Sequence, residues 1–397
     1  MYFALNILGV LIVIGLVYLL SPRKKEIKWV PILLILVVEV LITAFMLGTE
    51  IGSWIINKIA AFFTWLMDCA YEGIAFVVPS LVKVESMDFF ISVLLPIIFI
   101  VTFFDILSYF GIMTWLIDKL GWVISKVSRM PKLESFYSIQ MMFLGNTEAI
   151  AVIRHQLAAI SERRLLTIGI MSMSCISGSI IGAYITMLPP EYVFSAIPLN
   201  ALNALLIVSL LNPVDIPKEE DIVYEPPKEE KKDFFSTISN SMMVGMNMVI
   251  VIAAMLIGYV ALTAAVNGIL GLFHHGLTIQ QIFGYVLSPF ALLLGLPMHD
   301  AMYAAGLMGT KLATNEFVAM VDLTGKMDSL APHTLAVISV FLTSFANFST
   351  IGMIYGAIQA TISAEKSAII GKNVWKLIVS GIAVSFLSAA MVGLFIW

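Results

Sequence analysis

The chain has 397 residues, of which 60% are hydrophobic and 12% charged, about half the roughly 25% charged fraction of soluble proteins. Too few polar residues remain to cover a water-exposed fold, so the solvent must be lipid. The net charge is −4, and no basic cluster alternates with exposed aromatics, which argues against nucleic acid as a partner. Two cysteines, Cys69 and Cys175, cannot make a disulfide framework.

Residues 3–20 carry no charge and at about 1.5 Å per residue reach roughly 27 Å, close to one hydrocarbon core. The basic cluster Arg23, Lys24, Lys25 and Lys28 follows this stretch instead of preceding it, so it is a membrane helix and not a signal peptide. Residues 29–47 return across the bilayer. Residues 50–85 mix Trp54, Lys58, Trp65, Asp68 and Glu72 into an apolar run, which predicts an amphipathic interfacial segment. Further spans are expected at 88–110, 165–187, 191–211, 242–266, 333–360 and 374–396, eight in all with the first two. Interfacial pieces are expected from Met113 to Arg129 and from His274 to Leu294.

The fold class is therefore an all-α polytopic membrane protein. Residues 1–87 form N-terminal spans and an interfacial segment, 88–211 a first repeat, 212–241 a linker and 242–397 a second repeat. The linker sequence NPVDIPKEEDIVYEPPKEEKKD is charged and proline-rich and belongs on the cytoplasmic side. Two stretches, 133–160 and 296–325, are long enough for paired half-helices but carry polar residues in mid-segment. Such a re-entrant hairpin is tolerated where protein or water surrounds its tip. With both treated this way, all of the 22 Lys and Arg except Lys58, Lys83, Lys311 and Lys326 face the cytoplasm, and both termini lie outside.

The halves repeat one order of elements. One tip is Gly145-Asn146-Thr147-Glu148-Ala149 and the other Thr314-Asn315-Glu316-Phe317-Val318. Downstream, Ser174-Cys175-Ile176-Ser177-Gly178-Ser179 interrupts one span and Phe345-Ala346-Asn347-Phe348-Ser349-Thr350 the other. The first hairpin would open inward and the second outward, and inverted repeats with broken helices are the architecture of a secondary transporter. A carboxylate at membrane depth is costly unless it pairs or faces a cavity, so Glu148 and Glu316 are site candidates rather than helix caps. Asn347, beside Ser349 and Thr350 at a helix break, suits a ligand better than interhelical packing. His274 and His275 are read as solvated, His155 as lying beside Arg154 at the inner face, His299 beside Asp300 as a half-helix cap or a proton relay, and Asp105 as a paired structural acid. No metal-ligand spacing, phosphate loop or nucleophile motif occurs, and enzyme chemistry has no home here.

At GNTEA (145–149), NEFVA (315–319) and FANFS (345–349) the chain resembles the concentrative nucleoside transporter family over nearly its whole length, and within it the bacterial purine nucleoside members. The resemblance implies a homotrimer in a bacterial cell membrane that takes up nucleosides by ion coupling and carries no cofactor. By position it implies that Asn146, Thr147 and Glu148 face the nucleobase with Ile180 as an apolar wall. Glu316, Asn347 and Thr350 would hold the ribose, with Phe345 against the sugar. Asn146 stands where many members have Gln and Thr350 where many have Ser, which is consistent with room for a purine.

In sodium-coupled members an Asn and a Ser supply side-chain oxygens to the ion at positions that here are Met141 and Cys175. A thioether and a thiol are poor ligands for a hard cation, so the expected coupling ion is H+. Sodium coupling, a pyrimidine preference and a sensor that binds without transport are the alternatives; an intramembrane hydrolase would need a nucleophile that the sequence does not offer.

Overall fold

The computed structural model describes residues 2–82, 87–217, 221, 233–273 and 276–396. Among them every regular element is helical. Eight helices are long and apolar enough to cross a membrane: Phe3–Leu20, Trp29–Gly48, Glu50–Val77, Phe90–Tyr109, Glu162–Ile185, Pro190–Leu211, Phe234–Phe273 and Val374–Gly393.

The number agrees with the sequence expectation but one member differs. Glu50–Val77, expected to be interfacial, is a continuous helix of 28 residues that meets the length and composition of a span. Its charged side chains gather on one face, while Ile56, Phe63, Leu66, Met67 and Ala70 turn inward on the other. That amphipathicity produced the interfacial reading, and both properties belong to one helix. Conversely, the expected span 333–360 is two helices, Pro332–Leu342 and Phe348–Thr361, separated by five residues of non-helical chain, Thr343–Asn347. The Glu162–Ile185 segment is broken likewise, running as Glu162–Met171, a single tight turn at Ser172–Ser174, and Gly178–Ile185.

The expected hairpins are each interrupted at the tip. The first runs Lys132–Phe143, then Asn146–Val152 and Arg154–Ala159. The second runs Met298–Ala313 and Glu316–Thr324, and it folds back on itself, because the Tyr303 hydroxyl donates to the Asp322 carbonyl at 3.2 Å. The helix after the linker begins at Phe234, earlier than expected, and extends through 40 residues to Phe273. Much of the linker lies outside the described residues, as do His274 and His275.

Depth in the bundle follows from composition. Pro190–Leu211 and Val374–Gly393 are apolar or small all round and are buried on nearly every side. Phe234–Phe273 has few fully buried residues, with Ile257, Leu262, Leu272 and Phe273 exposed on its surface. Around the central pair the broken helices and the tips pack end to end. Close approach there needs Gly178, where a Cβ would stand 2.9 Å from the Phe143 carbonyl oxygen.

Candidate functional site

Four helix starts converge on one point: Asn146–Val152, Gly178–Ile185, Glu316–Thr324 and Phe348–Thr361. Each start leaves backbone N–H groups without intrahelical partners and carries partial positive charge. This is what makes two acidic side chains tolerable at such depth. Glu148 lies in the first turn of its helix and Glu316 begins its own.

The cavity at this convergence has a volume of about 450 Å³, within the roughly 300–1,000 Å³ of small-molecule sites. Asn146, Thr147, Glu148, Ile180, Glu316, Phe345 and Asn347 line it, so seven of the eight residues singled out in the sequence come together. Thr350 does not reach the cavity. It is fully buried behind Asn347, its hydroxyl turned to the Phe345 carbonyl and lying 3.0 Å from Asn347 Oδ1. In this arrangement its hydroxyl supports Asn347 and the Phe345 carbonyl.

The second-repeat half of the site is a closed hydrogen-bond unit. Asn347 Nδ2 donates to Glu316 Oε2 at 3.0 Å, and the Tyr184 hydroxyl donates to Glu316 Oε1 at 3.1 Å. Asn347 Oδ1 accepts from the Thr350 N–H at 2.9 Å and from Ser349 Oγ at 2.7 Å. Asn347 thus caps its own helix with its oxygen and presents its N–H₂ to the carboxylate.

The first-repeat half is more open. Glu148 Oε2 accepts from the Gly145 N–H at 3.1 Å, so the helix-capping role weighed for it in sequence is real, yet the carboxylate also faces the cavity. Asn146 Oδ1 accepts from the Thr147 N–H at 2.9 Å. Its Nδ2 is buried and has no hydrogen-bond partner among the described residues. A buried, unpaired amide donor costs about 1–3 kcal/mol, and this one belongs to a cavity-lining residue.

Below the first tip, the Cys175 thiol donates toward the carbonyls of Met141 at 3.2 Å and Leu144 at 3.1 Å. The Ile176 N–H also bonds the Met141 carbonyl, at 3.0 Å. At the far end of the same helices Arg164 grips Glu134 with two parallel bonds, Nε to Oε1 at 2.8 Å and Nη2 to Oε2 at 3.0 Å, both side chains buried.

Several lining residues escaped the sequence reading. Asn315 and Ser177 were passed over as tip and break residues, and Asn247 and Met248 come from the long exposed helix, where nothing in the local pattern marks them. Asp300 and His299 do not join the site: Asp300 Oδ2 accepts from Thr334 Oγ1 at 2.8 Å and ties the starts of two helices together. Asp105 lies beyond Glu148, in a neighbouring cavity of about 460 Å³ that Glu148 also lines.

Two family descriptions match the chain, the Na+ dependent nucleoside transporter N-terminus over residues 8–81 and its C-terminus over 192–393. The chain belongs to the concentrative nucleoside transporter family. It is a nucleoside transporter and an integral membrane protein, not an enzyme. It is 70% identical over 397 residues, 100% of both chains, to the purine nucleoside transport protein NupG of Bacillus subtilis (strain 168). An uncharacterized transporter of the same organism, YutK, is 31% identical over 98% of this chain and 99% of its own. The transporter fold also superimposes on CNTnw in an inward-facing substrate-bound state with a TM-score of 0.93 at 26% identity, covering 100% of this chain and 98% of that one.

Proposed function

We propose that the chain imports purine nucleosides in symport with protons. The observation that carries the substrate reading is the cavity in which a carboxylate and an amide from each repeat meet, with Asn146 Nδ2 still to be satisfied. A base edge needs a donor and an acceptor together, which Asn146 and Glu148 supply; vicinal ribose hydroxyls need acceptors, which Glu316 supplies. Ile180 and Phe345 give the flat apolar walls. The similarity to NupG of B. subtilis, a purine nucleoside transport protein by name, supports the purine preference.

The proton reading rests on Cys175. Its thiol stands against the Met141 and Leu144 carbonyls, and Met141 adds a thioether where a hard cation would want oxygen. Glu148 and Glu316 are the titratable groups of the cavity, and either can carry a proton.

On this reading the two tips are re-entrant hairpins, the linker faces the cytoplasm, both termini lie outside, and the working unit is a homotrimer. Counterflow of labelled inosine in proteoliposomes tests substrate and translocation together. Accumulation of label inside inosine-loaded vesicles is the expected result, and its absence would refute transport of this substrate.

A further inference from the structure

Lys311, placed by the charge pattern on the outer side, is instead fully buried. It ends the helix that leads into the second tip. A lysine in such surroundings is costly unless its ammonium hydrogens all find acceptors. Here they do: Nζ donates to the Phe341 carbonyl at 2.5 Å, to Ser344 Oγ at 2.7 Å and to Ser385 Oγ at 3.1 Å. The two hydroxyls are themselves 2.9 Å apart, and the Phe341 ring adds its face with its centroid 5.0 Å from the ammonium.

The acceptors have a pattern. Phe341 is in the last turn of Pro332–Leu342, where carbonyls lack intrahelical partners and carry partial negative charge. Ser344 lies in the break itself, and Ser385 comes from Val374–Gly393. One carbonyl and two hydroxyls form a set of hard oxygens that would suit a small cation. Counted from the first residue of the helix after each tip, Lys311 and Met141 stand at the same distance; counted from the tip amides Asn315 and Asn146, Lys311 is one residue nearer. In the first repeat that level is held by a thiol on two carbonyls; in the second it is held by an ammonium.

We infer that Lys311 is a tethered cation, a charge on a side-chain leash that fills in the second repeat the place a free ion would otherwise take. It is a positioning residue. By fixing the break at Phe341 and Ser344 it sets where the chain emerges at Asn347, and so brings the Asn347 amide onto the Glu316 carboxylate. The inference rests on the nucleoside reading of the cavity.

The test is calorimetric binding of inosine to the detergent-purified full chain, which avoids any effect of added amines on a proton gradient. Wild type that fails to bind inosine would remove the substrate reading, and this inference with it. Given binding by wild type, Lys311→Met should lose affinity by about tenfold or more, as expected for a lost charged hydrogen-bonding group. Lys311→Ala should lose affinity likewise and regain much of it in methylammonium chloride, but not in tetramethylammonium chloride at equal ionic strength, because only the small ammonium has hydrogens to give. A role in packing alone predicts no such difference between the two salts. Wild-type affinity in Lys311→Met, or a folded Lys311→Ala that methylammonium does not restore, would overturn the inference. Should neither lysine variant fold, Ser344→Ala and Ser385→Ala decide: weakened inosine binding in both upholds the tethered cation, and unchanged binding in both refutes it.

Discussion

Asn347 Nδ2 and Glu316 Oε2 are 3.0 Å apart, an amide that caps one helix bonded to a carboxylate that begins another. Two interrupted segments are thus joined at the point where each interruption exposes a helix start. Any substrate that binds Glu316 has to share it with Asn347 and Tyr184, so the carboxylate is held in place before the substrate arrives.

Glu316→Ala leaves the amide of Asn347 and the hydroxyl of Tyr184 without their acceptor. The loss is on the order of 1–3 kcal/mol for each hydrogen bond to a charged group, and inosine affinity should fall by roughly ten- to a hundredfold or more. Calorimetric titration of the purified variant checks this, with size-exclusion chromatography to establish that it is folded; near-normal affinity would exclude Glu316 from the site.

Tyr184→Phe removes one bond to Glu316 and leaves the ring, which packs on Phe317 at a centroid distance of 5.4 Å. A weaker nucleoside affinity, by about tenfold, with unchanged thermal stability is expected, and measuring both on the same preparation separates a site effect from a packing effect.

Inosine, guanosine and adenosine should compete for uptake better than uridine or cytidine, and free bases should compete poorly because Glu316 would then have no hydroxyls to engage. Competition against labelled inosine in vesicles gives the order directly, and uridine as the best inhibitor would reverse the purine assignment.

Uptake should rise as the outside pH is lowered relative to the inside and should be indifferent to replacement of sodium by choline. Restoring oxygens with Met141→Asn and Cys175→Ser together should make uptake respond to sodium. Initial rates in vesicles under imposed gradients provide the check, and strict sodium dependence of the unaltered protein would sink proton coupling.

Arg164→Leu breaks the buried pair with Glu134 and strands a carboxylate, a change that costs about 3–5 kcal/mol when one partner of such a pair is removed. The double variant with Glu134→Leu should recover much of the loss. Thermal unfolding of the two variants in detergent tells them apart, since a purely steric effect of Arg164 would persist in the double variant.

Both tips stand out in the sequence because a carboxylate within an apolar run is conspicuous in any hydropathy pattern, and Glu148 and Glu316 each recur beside an amide. Tyr184 was not legible. It sits in the apolar run after Gly178 and looks like core until its hydroxyl is found against a residue far along the chain. Lys311 misled for the opposite reason: lysine is taken for a solvent-facing charge, and the acceptors that make its burial possible are contributed by two other segments. Glu50–Val77 was read as interfacial from the charges on one of its faces, and its length and composition also meet those of a span, two properties that hydropathy averaged over a helix does not separate. Thr350 was read by position as a sugar contact; its place behind Asn347, with the hydroxyl on the Phe345 carbonyl and near Asn347 Oδ1, could not be read from the sequence.

The first tip and the broken helix beside it are fastened at both ends, by Arg164 on Glu134 at one and by the thiol and amide of Cys175 and Ile176 on Met141 at the other. Fastened so, the two pieces form one hydrogen-bonded unit. The wall that the long helix Phe234–Phe273 gives to the cavity is of another kind: Val244, Met248, Val251, Ile252 and Met255, with Asn247 among them, are mostly side chains that form no directional bond. Such a surface resists separation but offers little friction to sliding. A shear that showed the cavity first to one side of the membrane and then to the other would break the fewest directional bonds along this methionine- and valine-lined seam.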